Sequence, residues 1–122
     1  MIKLTFCLTR RPEFTRESFQ TYWREKHAPL VASVQAPLRI CRYVQAHSLP
    51  EAMETDLRRT RGGPPAYDGV AELWWDSAED MAATATDPAA IEAGRMLLED
   101  ERKFIDLARS PLFWGVEHAI LG

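Results

Sequence analysis

Ile2, Leu4, Phe6 and Leu8 alternate with Lys3, Thr5, Cys7 and Thr9, so residues 2–10 read as a strand with one strongly apolar face. The period then changes. Phe19, Tyr22 and Trp23 share one face of a predicted helix within residues 14–31, and His27 lies one turn beyond Trp23 on that face. Thr15 can cap the start of this helix, with Phe14 and Phe19 in hydrophobic-staple spacing around it. Pro29 disfavours helical geometry at Ala28, so the helix is expected to end or bend there, with a second short helix over 29–35. Residues 38–47 form the next predicted strand. Ile40, Arg42, Val44 and Ala46 occupy one side of it, and Cys41, Tyr43, Gln45 and His47 the other.

Residues 51–67 break the pattern. Arg58, Arg59 and Arg61 precede Gly62, Gly63, Pro64 and Pro65, so a helical turn followed by a mobile loop is expected, with the Arg58–Pro65 stretch solvated. A third strand is predicted over 68–76 after an Asp-Gly turn. Ser77 then caps a short helix over 78–85, and Asp87-Pro88 opens a longer one running to about residue 107. Ile91, Leu98 and Ile105 mark its apolar stripe, widened by Leu97 and Phe104. The last strand is predicted over 112–121. This order describes a single domain, residues 1–122, of the α+β class. The expected architecture is a ferredoxin-like βαββαβ antiparallel sheet with its helices on one face.

Trp74 and Trp75 are adjacent in a strand and must point to opposite faces. Helices can cover only one of those faces. The other is expected to expose a tryptophan and further apolar residues, an area best covered by a second copy, giving a homodimer through sheet faces.

The composition changes this picture little. Net charge is −3, which offers no footprint for nucleic acid, and no apolar run is long enough to span a membrane. The N-terminus lacks the pattern of a signal peptide, so a cytoplasmic location is expected. Cys7 and Cys41 imply neither a disulfide framework nor a zinc site.

His27, placed where an aromatic helix face meets a break, is the leading candidate for acid–base catalysis. A structural histidine capping the helix end is the other reading of it. His47 shares a strand face with Tyr43 and is a candidate partner for His27, and Tyr67 is a candidate assistant. His118 reads as a packed or interface residue. Tyr22, Trp23, Tyr43 and Trp75 are candidate substrate-binding residues, an aromatic wall for a small apolar or aromatic ligand. No histidine pair has the short spacing of a local metal motif, so no metal and no tightly bound cofactor are expected. Asp100 and Glu101 are adjacent and diverge on a helix, which excludes a glycosidase pair. Asp100 is expected at the surface or beside an arginine.

The segment from Phe14 to Val31, with Tyr22-Trp23-Arg24 and His27-Ala28-Pro29-Leu30-Val31, resembles the EthD-like family of the dimeric α+β barrel superfamily. Tyr43-Val44-Gln45-Ala46-His47, Tyr67-Asp68-Gly69-Val70-Ala71-Glu72, Asp100 to Asp106 and Glu117-His118 resemble later segments of that family in the same order. The resemblance implies a ferredoxin-like protomer that pairs through its sheets. Members include a protein of ethyl tert-butyl ether degradation and fungal proteins described as dehydratases. Related barrels include cofactor-free monooxygenases, lactone isomerases and haem enzymes, so fold analogy does not choose a reaction. The expected function is dehydration or isomerisation of a small apolar, aromatic or lactone-like substrate. A non-catalytic accessory protein of an oxidative pathway, or oxygen chemistry, is the alternative.

Overall fold

A computed structural model describes residues 1–122, apart from the side chains of Glu54 and Thr55. Four strands form one antiparallel sheet: β1 (Ile2–Leu8), β2 (Arg42–His47), β3 (Gly69–Trp75) and β4 (Leu112–Gly115), in the order β2-β3-β1-β4. The register places Leu4 opposite Leu73 and Trp114, and Phe6 opposite Ala71 and Leu112, so these side chains share one face. Helices α1 (Arg16–Tyr22), α2 (Ala28–Ser33), α3 (Gln35–Leu38), α5 (Ala78–Ala83) and α6 (Pro88–Phe104) join the strands. This is the ferredoxin-like arrangement that the order of elements predicts.

Local chemistry accounts for the helix starts. Thr15 and Ser18 form a reciprocal capping box on α1, the Ser77 hydroxyl accepts from the Asp80 amide, and the Asp87 carboxylate accepts from the Ala89 amide ahead of α6. At Pro29 the chain does not stop. Residues Trp23–His27 form a π-helical turn, closed by the Ala28 amide on the Trp23 carbonyl, and α2 continues with Pro29 in its first turn. Proline's ring would press on the carbonyl four residues back in an ordinary helix, and a widened turn relieves that conflict. The widening lies on the segment that carries Trp23 and His27.

Four expectations need correction. The second strand starts at Arg42 rather than residue 38, because Arg39 adopts φ 59° and turns the chain while the Leu38 carbonyl accepts from Trp75 Nε1 at 2.7 Å. Residues Glu51–Arg61 form a helix, α4, instead of a turn and loop. They contain no glycine or proline, Arg58 pairs with Glu51 at 3.1 Å, and Gly62 closes the helix at φ 60°. Strand β4 stops at Gly115 instead of continuing to 121, since its ladder ends opposite Lys3, one residue short of the start of β1. On α6 the buried face is Ala90, Ala93, Asp100 and Phe104, whereas Ile91 and Leu98 are exposed.

The two tryptophans do point to opposite faces. Trp75 joins Val31 and Ile40 in the core under the helices. Trp74 lies on the outer face, but only 5 % of it is exposed. Arg42 stacks over its ring at 4.6 Å, Lys3 lies at 5.4 Å, and its indole N–H donates to Glu117. The bare tryptophan expected on that face is therefore clothed within the chain itself.

Two apolar clusters fill the space between sheet and helices. One gathers Phe6, Leu8, Phe19, Trp23 and Phe104, the other Val31, Ile40 and Trp75. Gly69 fixes the first cluster. A Cβ at Gly69 would overlap the Trp23 ring and stand 2.7 Å from the Ala46 carbonyl oxygen. Neither neighbour can yield, since Trp23 is 1 % exposed and the carbonyl belongs to β2. Gly69→Ala is expected to cost about 2–3 kcal/mol. Urea unfolding of the variant within about 0.5 kcal/mol of wild type would show that Trp23 is not held this tightly.

Candidate functional site

A cavity of about 320 Å³ lies between the sheet and the helices. Its wall draws on both apolar clusters, including Phe6, Leu73, Trp23 and Trp75, and extends to Leu112 and Trp114 on β4. Its ionisable lining consists of His27, Tyr43 and Glu101.

The widened turn delivers His27 to this wall almost fully buried. Its Nδ1 lies 2.7 Å from Asp100 Oδ2. Tyr22, one helical turn earlier, donates its hydroxyl to the other oxygen of the same carboxylate at 2.6 Å. Burial pushes the Asp100 carboxyl up, but the hydrogen bonds from Tyr22 and His27 with the nearby positive charges outweigh it, and the net shift is downward. Asp100 is thus an acceptor, His27 Nδ1 carries the proton, and Nε2 is the ring nitrogen left with a lone pair. Burial lowers the His27 pKa despite the opposing pull of Asp100, so the ring is neutral at physiological pH. Burial and the Asp100 bond push the Tyr22 phenol up to about 12. Asp100 is therefore neither a surface charge nor an arginine's partner. Its buried position corrects that expectation.

Glu101 follows on α6 and faces the cavity beside Leu97. Its carboxyl is raised to about 7, first by burial and then by the charge of Asp100. Among the described residues it has no hydrogen-bond partner. A neutral imidazole and a carboxyl near its midpoint at pH 7 thus share one apolar chamber, a pairing suited to moving protons in both directions.

Of the aromatic residues named from the sequence, Trp23, Tyr43 and Trp75 line the cavity. Tyr22 does not, and acts through Asp100. Tyr43 accepts a hydrogen bond at its hydroxyl from Gln45 Nε2 at 2.7 Å. His47 stacks on Trp23 with ring centroids 4.5 Å apart and donates to Gln45 Oε1 at 2.8 Å. It is not part of the cavity wall, and among the described residues no hydrogen bond joins it to His27. Tyr67, 42 % exposed, lines a separate cleft beside α4 with Arg58 and Arg61. The structure thus brings His27, Trp23, Tyr43 and Trp75 together and leaves His47 and Tyr67 outside. Glu101 and the Tyr22–Asp100 support were missed. The signal was present: Asp100 is seven residues from Ala93 and four from Phe104, which puts it on a helix face with both.

Among the described residues no group of three His, Cys, Asp or Glu side chains is arranged to hold a metal ion, and no helix is long and apolar enough to cross a membrane.

Several solved structures share the fold. An EthD family protein from Bacillus halodurans is 19 % identical, with 97 % of this chain and 99 % of that one aligned at a TM-score of 0.63. An EthD-like protein from Ralstonia eutropha is 22 % identical over 97 % and 95 % of the two chains, with a TM-score of 0.56. A dimeric protein of unknown function with a ferredoxin-like fold from Bacteroides fragilis is 10 % identical over 93 % of each chain, with a TM-score of 0.57. No curated protein matches this chain by sequence. The EthD domain model matches residues 11–108, a stretch that holds the widened turn, β2, β3 and all of α6. With that span matched and the fold shared, the chain belongs to the EthD family.

Proposed function

We propose that this protein is a small-molecule enzyme that carries out acid–base dehydration or isomerisation on an apolar, aromatic or lactone-like substrate, without a tightly bound cofactor. The observation that carries this reading is the His27–Asp100 pair, buried at the wall of an apolar cavity that also holds Glu101. His27 Nε2 takes a proton from the substrate, and Asp100 stabilises the imidazolium that forms. Glu101 returns a proton to a developing oxyanion or leaving hydroxyl. His47 has a supporting place behind Trp23, and Tyr67 has none in this reading.

Each group sets one limb of the pH dependence. His27 must be neutral, so rate rises with pH through its lowered pKa, below 6.5. Glu101 must hold its proton, so rate falls as pH passes about 7. A bell-shaped profile is expected, with its alkaline limb near pH 7.

The test uses apolar lactones and β-hydroxy ketones in deuterated water, with loss of C–H signal and release of water followed by NMR. Wild-type protein should exchange or convert at least one compound about 100-fold faster or more than His27→Gln, a variant that keeps a donor for Asp100. Equal rates for the two proteins across the panel would remove the acid–base assignment.

We further propose that two copies pair through their sheets. The outer face carries half-exposed Phe113, the edge strand exposes Leu112 and Trp114, and the Bacteroides fragilis protein of the same fold is dimeric. Light scattering that reads a single 13.9 kDa chain at micromolar concentration would remove this part.

A further inference from the structure

We infer that the cavity takes an uncharged ligand bearing a carbonyl oxygen, and that Glu101 turns carboxylate analogues away. This rests on the acid–base reading of the same cavity and names its substrate class.

The charge inventory leads to it. Among the described residues the wall contains no lysine or arginine. Lys103, an exposed cation on α6, reaches Asp100 at 3.7 Å and is not part of the wall. The His27 proton at Nδ1 and the Tyr22 hydroxyl are both committed to Asp100. A ligand carboxylate entering the chamber would give up its water, meet no positive charge, and come to rest near Asp100 and Glu101. Burying an unpaired anion is among the costliest steps in an apolar site.

A neutral carbonyl meets the opposite situation. Tyr43 already accepts from Gln45, so its own hydroxyl hydrogen is free to donate. Glu101 is a second donor only below about pH 7, and above it Tyr43 alone serves the carbonyl. Both are on the cavity wall with no acceptor of their own among the described residues. The apolar remainder of a ligand packs on Leu73, Trp23 and Trp75.

Gly94 adds the route. It lies on α6 one turn before Leu97 and two before Glu101, and all three line the cavity. A glycine inside a helix weakens it relative to alanine. Here no atom lies within 4 Å of where a Cβ would stand, so packing within the chain does not require it. Gly94 is itself exposed, so it stands where the cavity wall meets solvent.

Cyclohexanecarboxamide and cyclohexanecarboxylate have the same shape and differ in charge. Each would be titrated into the protein at mildly alkaline pH, with the fluorescence of Trp23, Trp75 and Trp114 on the wall as the signal. The amide should bind saturably and the carboxylate at least about tenfold more weakly. Glu101→Gln should remove most of that gap. Gly94→Leu, which places bulk at the mouth and improves the helix, should weaken the amide. A carboxylate that binds as well as the amide overturns the inference and leaves the His27 assignment standing, since that is decided by proton exchange. Failure of both ligands to bind, or amide binding unchanged in Gly94→Leu, also overturns it. If Glu101→Gln does not fold, the wild-type pair and Gly94→Leu decide alone.

Discussion

Glu101→Gln is expected to be more stable than the wild-type chain at alkaline pH, by on the order of 3 kcal/mol near pH 8.5. The carboxyl has an ordinary value of 4.5 when unfolded and is raised to about 7 in the fold, by burial and by the charge of Asp100. Below 4.5 both states hold the proton and the fold bears no penalty. Between the two values the unfolded chain releases its proton while the folded chain keeps it. Above about 7 the fold holds a largely desolvated carboxylate near that of Asp100, and the full penalty is present. A raised carboxyl therefore loses stability as pH rises, the reverse of the usual paired aspartate. Glutamine keeps the shape and removes the charge. Thermal unfolding near pH 4 should give nearly equal midpoints for the two chains, and near pH 8.5 the variant should melt roughly 10 °C higher. Coincident midpoints at alkaline pH would mean that the carboxyl is hydrated in the fold, and the acid assigned to Glu101 would go with it. The same variant should lose proton exchange in the lactone and ketone panel. A residue that weakens the fold where it stands, and whose removal stops the chemistry, has the signature of a functional group.

The alternation in β1, the caps at Thr15, Ser77 and Asp87, and the paired tryptophans were legible because each is a local pattern with one physical meaning. The ferredoxin-like order followed from them. The errors arose where a local rule met a tertiary constraint. Pro29 signalled a break, yet the chain absorbed it by widening one turn, because Trp23 and Phe19 anchor the segment on one side and Val31 on the other. Of the stripe predicted for α6, Phe104 and Ile105 are buried and Leu97 packs against the core, but the large residues Ile91 and Leu98 are exposed. The buried side is built from Ala90 and Ala93, small residues that let the helix approach and carry no strong hydrophobic signal. That misreading hid Asp100, which sits on the alanine side. His27 was visible from its place at the break. Its partner was not, because the two lie 73 residues apart and only the packing of α6 against the widened turn joins them. Trp74 shows the converse. Its exposure was argued from the number of helices, while Arg42, Lys3 and Glu117 cover it with their own side chains.

Asp100→Asn should separate the fold from the chemistry. Asp100 is 8 % exposed and accepts from both Tyr22 and His27. Alanine at this position would leave the buried His27 donor without an acceptor, at about 1–3 kcal/mol, and the half-buried Tyr22 hydroxyl too, and a loss of that size reports only that the site is part of the core. Asparagine keeps the volume and one acceptor oxygen. That oxygen can serve Tyr22, while the amide N–H₂ faces His27 Nδ1. A donor facing Nδ1 requires it to be bare, so the ring proton moves to Nε2. The histidine then presents a hydrogen to the cavity where it had presented a lone pair, and it no longer acts as a base. The stability change should stay near 1 kcal/mol, because every buried group still has a partner. Exchange in deuterated water should fall about 100-fold or more. The ring ¹⁵N shifts of His27 give the decisive readout, since a protonated and a bare nitrogen resonate far apart. Wild type should carry the proton on Nδ1 and Asp100→Asn on Nε2. If the variant keeps Nδ1 protonated, Asp100 does not set the tautomer, and the carboxylate is a packing residue that happens to touch the histidine.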